Sequence, residues 1–187
     1  MSTSKYHHGD LRQSLIKAGR TLLREHGVAA LTLRGTAREA GVSATATYRH
    51  FADKEALLTA IAADGFAALE AALRAADQHP DDRIALRQQG VAYVQFAIAN
   101  PNLVRLMFSG TIDRAAISPT TFAVLADRAA RCVGAENAEI VALGSWSIVH
   151  GLATLILDQR IKTDDPIALA ERILPLLNIN PEPRLDG

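Results

Sequence analysis

Two short helix-forming segments flank Gly41-Val42, and that arrangement constrains this chain more than any other feature. Thr32 stands before the segment Leu33–Ala40, where its hydroxyl can accept a backbone N–H that the first helical turn leaves without a partner. Gly41 predicts the stop, because glycine tolerates the left-handed backbone at a helix end. Val42 is an apolar plug, Ser43 caps a second helix through Phe51, and Asp53 caps a long third one. Helix, short glycine-containing turn, helix is the geometry of a helix-turn-helix. The small residues Ala37 and Gly41 leave room for the helices to cross closely, and bulk at either would push them apart.

The rest of the chain carries the same period. Leu11, Leu15, Ile16, Gly19, Leu22 and Leu23 recur at helical spacing and predict an amphipathic first helix that closes near Gly27. Leu57, Leu58, Ile61, Phe66, Leu69 and Leu73 form the inner side of the helix after Asp53. Gln78–Asp82 breaks the pattern. Helices are then expected over Arg83–Ala99, Asn102–Phe108, Ser118–Val133, about Ala138–Arg160, and Asp165–Leu177, with a frayed tail from Asn178. Alanine and leucine dominate and aromatics make up 5%, which favours helix over strand. The expected class is all-α, with about nine helices: a three-helix helix-turn-helix domain at 1–54 and an antiparallel helical bundle at 55–187.

Charge is unevenly spread. Residues 1–54 hold nine Lys/Arg against four Asp/Glu, and the remainder holds eleven against sixteen, so a +5 segment precedes a −5 one. A basic front suggests that this part meets a polyanion. The single cysteine, Cys132, cannot close an intrachain disulfide, which suits a reducing compartment. The opening residues lack the apolar core of a signal peptide. Ile140–Leu157 has no Asp, Glu, Lys or Arg and approaches spanning length, yet it includes Gly144, Ser145, Ser147, His150, Gly151 and Thr154. A helix buried by a partner is the better reading, with no membrane and a cytoplasmic location.

The stretch Leu31 to Leu58, and above all its ending Tyr48-x-His50-Phe51-x-x-Lys54, resembles the DNA-binding domain of the TetR family of regulators. The resemblance takes in Leu11 to Lys54. It implies that the Ser43–Phe51 helix enters the major groove by its N-terminal end. Ser43, Ala44 and Thr45 would then lie nearest base edges, Thr45 offering a hydroxyl or methyl and Ala44 touching a thymine methyl. Thr32, Tyr48, His50 and Lys54 would reach phosphates, and Arg34 base or phosphate. Thr47 is counted with this surface, although it stands where many members carry an apolar residue. Thr32, Ser43 and Asp53 also serve as caps, and Phe51 chiefly closes the three-helix core. Gly35 departs from helix preference at a cost of roughly 1 kcal/mol against alanine.

In the second half, Trp146-x-x-x-His150-Gly151 resembles the signature of a TetR C-terminal class called WHG. The family resemblance implies a homodimer through helices 138–160 and 166–177. It also implies an apolar effector pocket with a few polar anchors. The candidates are Phe66, Tyr93, Phe96, Met107, Phe108, Phe122, Trp146 and His150, each of which core packing explains at least as well. The His and acid residues lack chelating spacing, so no metal or cofactor is expected.

These features point to a repressor that binds a near-palindromic double-stranded DNA operator as a dimer and is released by a small apolar or amphipathic effector. A DNA-binding regulator or activator without small-molecule input shares every N-terminal feature. A helical enzyme has only Trp146, His150, Cys132 and scattered acids in its favour, with no nucleophile elbow or phosphate loop.

Overall fold

A computed structural model of the chain describes residues 8–113, 115 and 120–176. Among these the chain is helical throughout: α1 (His8–His26), α2 (Leu33–Glu39), α3 (Ala44–Tyr48), α4 (Lys54–Ala76), α5 (Asp82–Ala99), α6 (Pro101–Met107), α7 (Thr120–Val133), α8 (Ala135–Leu157) and α9 (Pro166–Ile173). Short 3-10 turns follow α1 at Val28–Ala30 and α9 at Leu174–Leu176. The described residues therefore form an all-α fold with nine α-helices.

The helix ends follow local chemistry. α3 stops at Tyr48, three residues short of the expected Phe51. The N–H groups of His50 and Phe51 both turn back to the Thr47 carbonyl, at 3.0 Å each, and this drops the Phe51 ring into the core. α8 spans Ala135–Leu157 rather than 138–160. It starts directly after Gly134, whose φ of 82° makes a sharp break after α7, and ends where Gln159 turns left-handed at φ 58°. α9 ends at Ile173, before Pro175, and continues only as a 3-10 turn. The expected start at Ser118-Pro119, Leu177, and the tail lie outside the described residues.

The chain packs as two compact units. The first takes the described residues up to 66 and those from 100 to 115; the second takes 67–99 and 120–176. This partition cuts α4, whereas the division at 54/55 marks where the helix-turn-helix pattern ends. The reason is in the packing: Leu57, Leu58 and Ile61 of α4 are buried in the first unit with Leu15, Ile16 and Leu23 of α1 and Leu31, Leu33, Ala37 and Phe51. Burying one such side chain contributes about 1.5–3 kcal/mol.

Polar ties complete the first unit. Asp64 of α4 accepts from Arg20 at 2.7 Å and from Gln13 at 3.3 Å, both on α1. α6, distant in sequence, joins the same unit. The Asn102 amide donates to the Leu23 and Arg24 carbonyls at 3.0 and 3.3 Å, adding to the Gly27 N–H that Leu23 already accepts at 3.0 Å and so tying down the end of α1.

In the second unit α5 packs against α7, α8 and α9. Its core includes Leu86, Val94, Val124, Ala129, Val149, Leu152, Ala153 and Leu174. Arg128 of α7 is 7% exposed and its guanidinium is shared between Asp77 and Asp82. A buried cation needs such partners, since removing one leaves an uncompensated charge.

Candidate functional site

The geometry of the helix-turn-helix is set by two caps and one glycine. The Thr32 hydroxyl accepts from the Gly35 N–H at 2.9 Å, and the Ser43 hydroxyl accepts from the Ala46 N–H at 3.2 Å. Gly41 carries the turn at φ 68°, a region costly for L side chains. Gly35 now has a reason: a Cβ there would stand 2.9 Å from the Thr32 hydroxyl oxygen. The cap and the helix-weakening glycine belong together.

The sequence-named contact residues divide by exposure. Thr32, Arg34, Ser43, Thr45, Tyr48 and Lys54 are exposed, and Ala44 and His50 are half-buried. Tyr48 is 51% exposed, so it does not close the core. Each capping hydroxyl accepts its backbone N–H and keeps its own proton to donate. Thr47 is a correction. Its side chain is fully buried, facing inward from α3, and its hydroxyl has no hydrogen-bond partner among the described residues. α3 advances about 100° per residue, so Ala44 and Thr45 and then Tyr48 share the outer side while Thr47 falls on the inner one. Thr47 thus occupies the apolar position of the motif and is not available to a duplex. Thr36 of α2 is buried in the same way.

Lys54 is also tied down. Its ammonium donates to the Val28 carbonyl at 3.3 Å, fixing the turn after α1 against the start of α4, where the Asp53 carboxylate accepts from the Ala56 N–H at 2.8 Å. Sequence reasoning omitted further exposed cations of this unit, among them the arginines Arg12, Arg38 and Arg49. Helical spacing alone left these arginines as solvated faces.

The eight effector candidates fall into two groups. In the first unit the Phe66 and Phe108 rings meet edge to face at 5.5 Å, and Met107 is fully buried. In the second unit Tyr93, Phe122, Trp146 and His150 form one cluster. The Tyr93 hydroxyl lies 2.7 Å from His150 Nδ1, the Trp146 and His150 rings are 5.9 Å apart, and the Phe122 and Trp146 rings 6.3 Å apart. Phe96 is half-buried on α5. Burial pushes the Tyr93 phenol up to about 12, partly offset by a hydrogen bond with Trp146, so it stays protonated. Burial lowers the His150 pKa, which keeps the imidazole neutral. The cluster can therefore offer hydrogen bonds but no fixed charge. A cleft of about 340 Å3 in the first unit is lined by Lys54, Glu55, Leu58, Gly110 and Thr111, none of them an effector candidate. Cys132 is half-buried, and burial raises its thiol pKa, the environment of an inert thiol.

Comparison with known proteins matches the chain in two successive segments. Residues 15–61 match the family described as bacterial regulatory proteins, tetR family, and residues 86–177 match the tetracyclin repressor-like C-terminal domain. The WHG resemblance rests on Trp146, His150 and Gly151 alone. A solved protein of unknown function from Rhodococcus sp. RHA1 is 31% identical, with a TM-score of 0.79 over 93% of this chain and 96% of that one. A tetR-family bacterial regulatory protein from Rhodococcus RHA1 is 25% identical, with a TM-score of 0.62 over 93% and 95%. A TetR variant from Acinetobacter baumannii AYE, solved in complex with minocycline, shares the fold at 23% identity and a TM-score of 0.64 over 91% and 93%. An HTH-type transcriptional regulator of Mycobacterium tuberculosis is 28% identical over 124 residues, which is 63% of this chain and 52% of that protein. The chain thus spans about half the length of the curated relatives it matches. Where these matches carry a functional name, it is that of a regulator and not of an enzyme. With both halves matched in order, this chain belongs to the TetR family of bacterial regulatory proteins, DNA-binding transcriptional regulators.

Proposed function

We propose that the chain is a cytoplasmic, dimeric repressor that holds a near-palindromic operator and lets go when a small apolar or amphipathic molecule binds its C-terminal half. The observation that carries the DNA reading is the division of α3. Ser43, Thr45 and Tyr48 face solvent while Thr47 and Phe51 are buried, so a five-residue helix is anchored from within and bare on the outside. Two such helices would enter successive major grooves, which repeat about every 34–36 Å.

The dimer reading is supported by α8. Ile140, Leu143, Ile148 and Leu155 are 65%, 45%, 37% and 44% exposed. Residues 140, 144, 148, 151 and 155 recur at helical spacing, and the Cβ positions of Gly144 and Gly151 meet nothing within 4 Å. α8 and α4 are each long and apolar enough to cross a membrane, but a window of α4 is 56% buried and that of α8 only 28%. A second copy of α8, with α9 beside it, would cover this stripe by ordinary helix packing.

The effector reading is supported by the Tyr93–His150–Trp146–Phe122 cluster: aromatic, half-buried at its rim and without fixed charge. The minocycline complex of the Acinetobacter protein lends it support through the shared fold. Phe96 lies on α5 with Tyr93 and is proposed with this cluster; Phe66, Met107 and Phe108 remain separate candidates in the first unit.

The test is binding of the full chain to promoter DNA next to its own gene, followed by anisotropy over a salt series. Expected are a dimer on a near-palindromic site and affinity that falls steeply with salt. A monomer without salt-sensitive binding to any duplex would overturn the reading. Trp146 is the sole tryptophan, so its fluorescence reports effector binding. If no compound in a broad library shifts it or releases DNA, a regulator without small-molecule input takes its place.

A further inference from the structure

Nine basic residues precede position 55, eight of them among the described residues, and several of these differ in what they touch. Arg20 is held by Asp64 at 2.7 Å, Arg24 pairs with Glu25 at 3.4 Å, and Lys54 donates one N–H to the Val28 carbonyl while keeping its charge. Arg12 differs from these. It is exposed on α1, has no carboxylate partner among the described side chains, and places its guanidinium carbon 5.3 Å from the centroid of the Phe51 ring.

That ring is 2% exposed, and it follows His50 directly and Tyr48 by three residues. A ring buried for packing therefore also restrains a cation, and Phe51 adjoins in sequence the two residues expected on phosphate. Arg12 lies one turn before Leu15 and Ile16, both buried, so its stem rises from the core-facing side of α1 and its head reaches the surface. Stacking on an aromatic face restrains a guanidinium without neutralising it. Its planar fork of N–H donors stays suited to two phosphate oxygens at once.

We propose that Arg12 is a further DNA-phosphate contact, oriented by the Phe51 ring, so that α1 grips the backbone alongside the α3–α4 surface. This rests on the DNA-binding reading above and adds affinity without base preference, because phosphate contacts position and do not specify.

The test uses the full chain, its promoter duplex and a scrambled duplex, over a range of salt. Arg12→Met keeps apolar cover over Phe51 and removes the charge; Arg12→Lys keeps the charge and loses the fork. Expected for Arg12→Met is an equal loss on both duplexes, about tenfold, with a salt slope lower by about 2 per dimer and an unchanged melting temperature. Arg12→Lys should keep the wild-type slope. A slope unchanged in Arg12→Met, with or without a lower melting temperature, would mean that Arg12 only covers the ring, and would overturn the proposal while sparing the DNA-binding reading. Absence of salt-dependent binding in the unaltered chain would overturn both.

Discussion

The helices α3 and α8 expose opposite chemistry. α3 shows solvent a hydroxyl at Thr45 and a phenol at Tyr48, next to the capping hydroxyl of Ser43, and keeps Thr47 inside. α8 shows Ile140, Leu143, Ile148 and Leu155, with bare glycine backbone between them. A polar exposed face costs nothing in water and suits a partner that comes and goes. An exposed apolar stripe is costly at roughly 25 cal/mol per Å2, which suits a partner that stays. On this contrast the proposed function makes DNA the reversible partner and a second copy the permanent one.

The largest expected effect tests the permanent side. Gly151→Arg in α8 sets a charge on the bare stripe, where an unpaired buried ion costs several kcal/mol. Dimer affinity should fall more than about 100-fold, on the scale of 1.4 kcal/mol per tenfold. Light scattering would show a monomer, and an unaltered dimer mass would refute the α8 interface.

Next comes the reversible side. Thr45→Ala should reduce discrimination between cognate and scrambled duplex by about tenfold, the scale of one lost base contact. Non-specific affinity should hardly change. Equal losses on both duplexes would move Thr45 from the bases to the backbone.

A smaller effect tests the boundary between the inside and outside of α3. The Thr47 hydroxyl is buried without a partner among the described residues, and such a group is costly to desolvate. Thr47→Val keeps the shape and should leave stability equal or better by up to about 1 kcal/mol, with DNA affinity intact. Loss of operator discrimination without loss of stability would return Thr47 to the contact surface.

The smallest effect concerns the aromatic cluster. Burial lowers the folded pKa of His150 below its value of 6.5 in the unfolded chain. Neutral His150 therefore contributes stability above that value, and the contribution is lost as pH falls below it toward the folded pKa. Melting temperature should drop as pH falls below about 6.5, and His150→Gln should flatten that part of the profile. An unchanged profile would mean that other groups set the acid response.

Much of the fold was legible because local rules and tertiary packing agree. The caps Thr32, Ser43 and Asp53 and the break at Gly41 each do in the fold what their chemistry dictates in isolation. Boundaries slipped where a tertiary demand took over. Phe51 leaves α3 in order to bury its ring, and α8 begins early because Gly134 can turn sharply. Thr47 misled because a threonine reads as polar, while its place one turn from the cap set its side chain toward the core. Arg12 was hidden for the reverse reason: its meeting with Phe51 joins positions 39 residues apart, and no periodicity reports that.

By itself, the sequence determined the helical class, the helix-turn-helix and its likeness to the TetR family, because period, caps and glycine act within a few residues. Only the tertiary structure decided that α6 packs with the first unit through Asn102, which side chains of α3 face outward, and that Tyr93, Phe122, Trp146 and His150 gather while Phe66 and Phe108 pair elsewhere. Those outcomes depend on which distant faces meet, and burial of apolar area, being non-directional, leaves that choice to the packing of the whole chain.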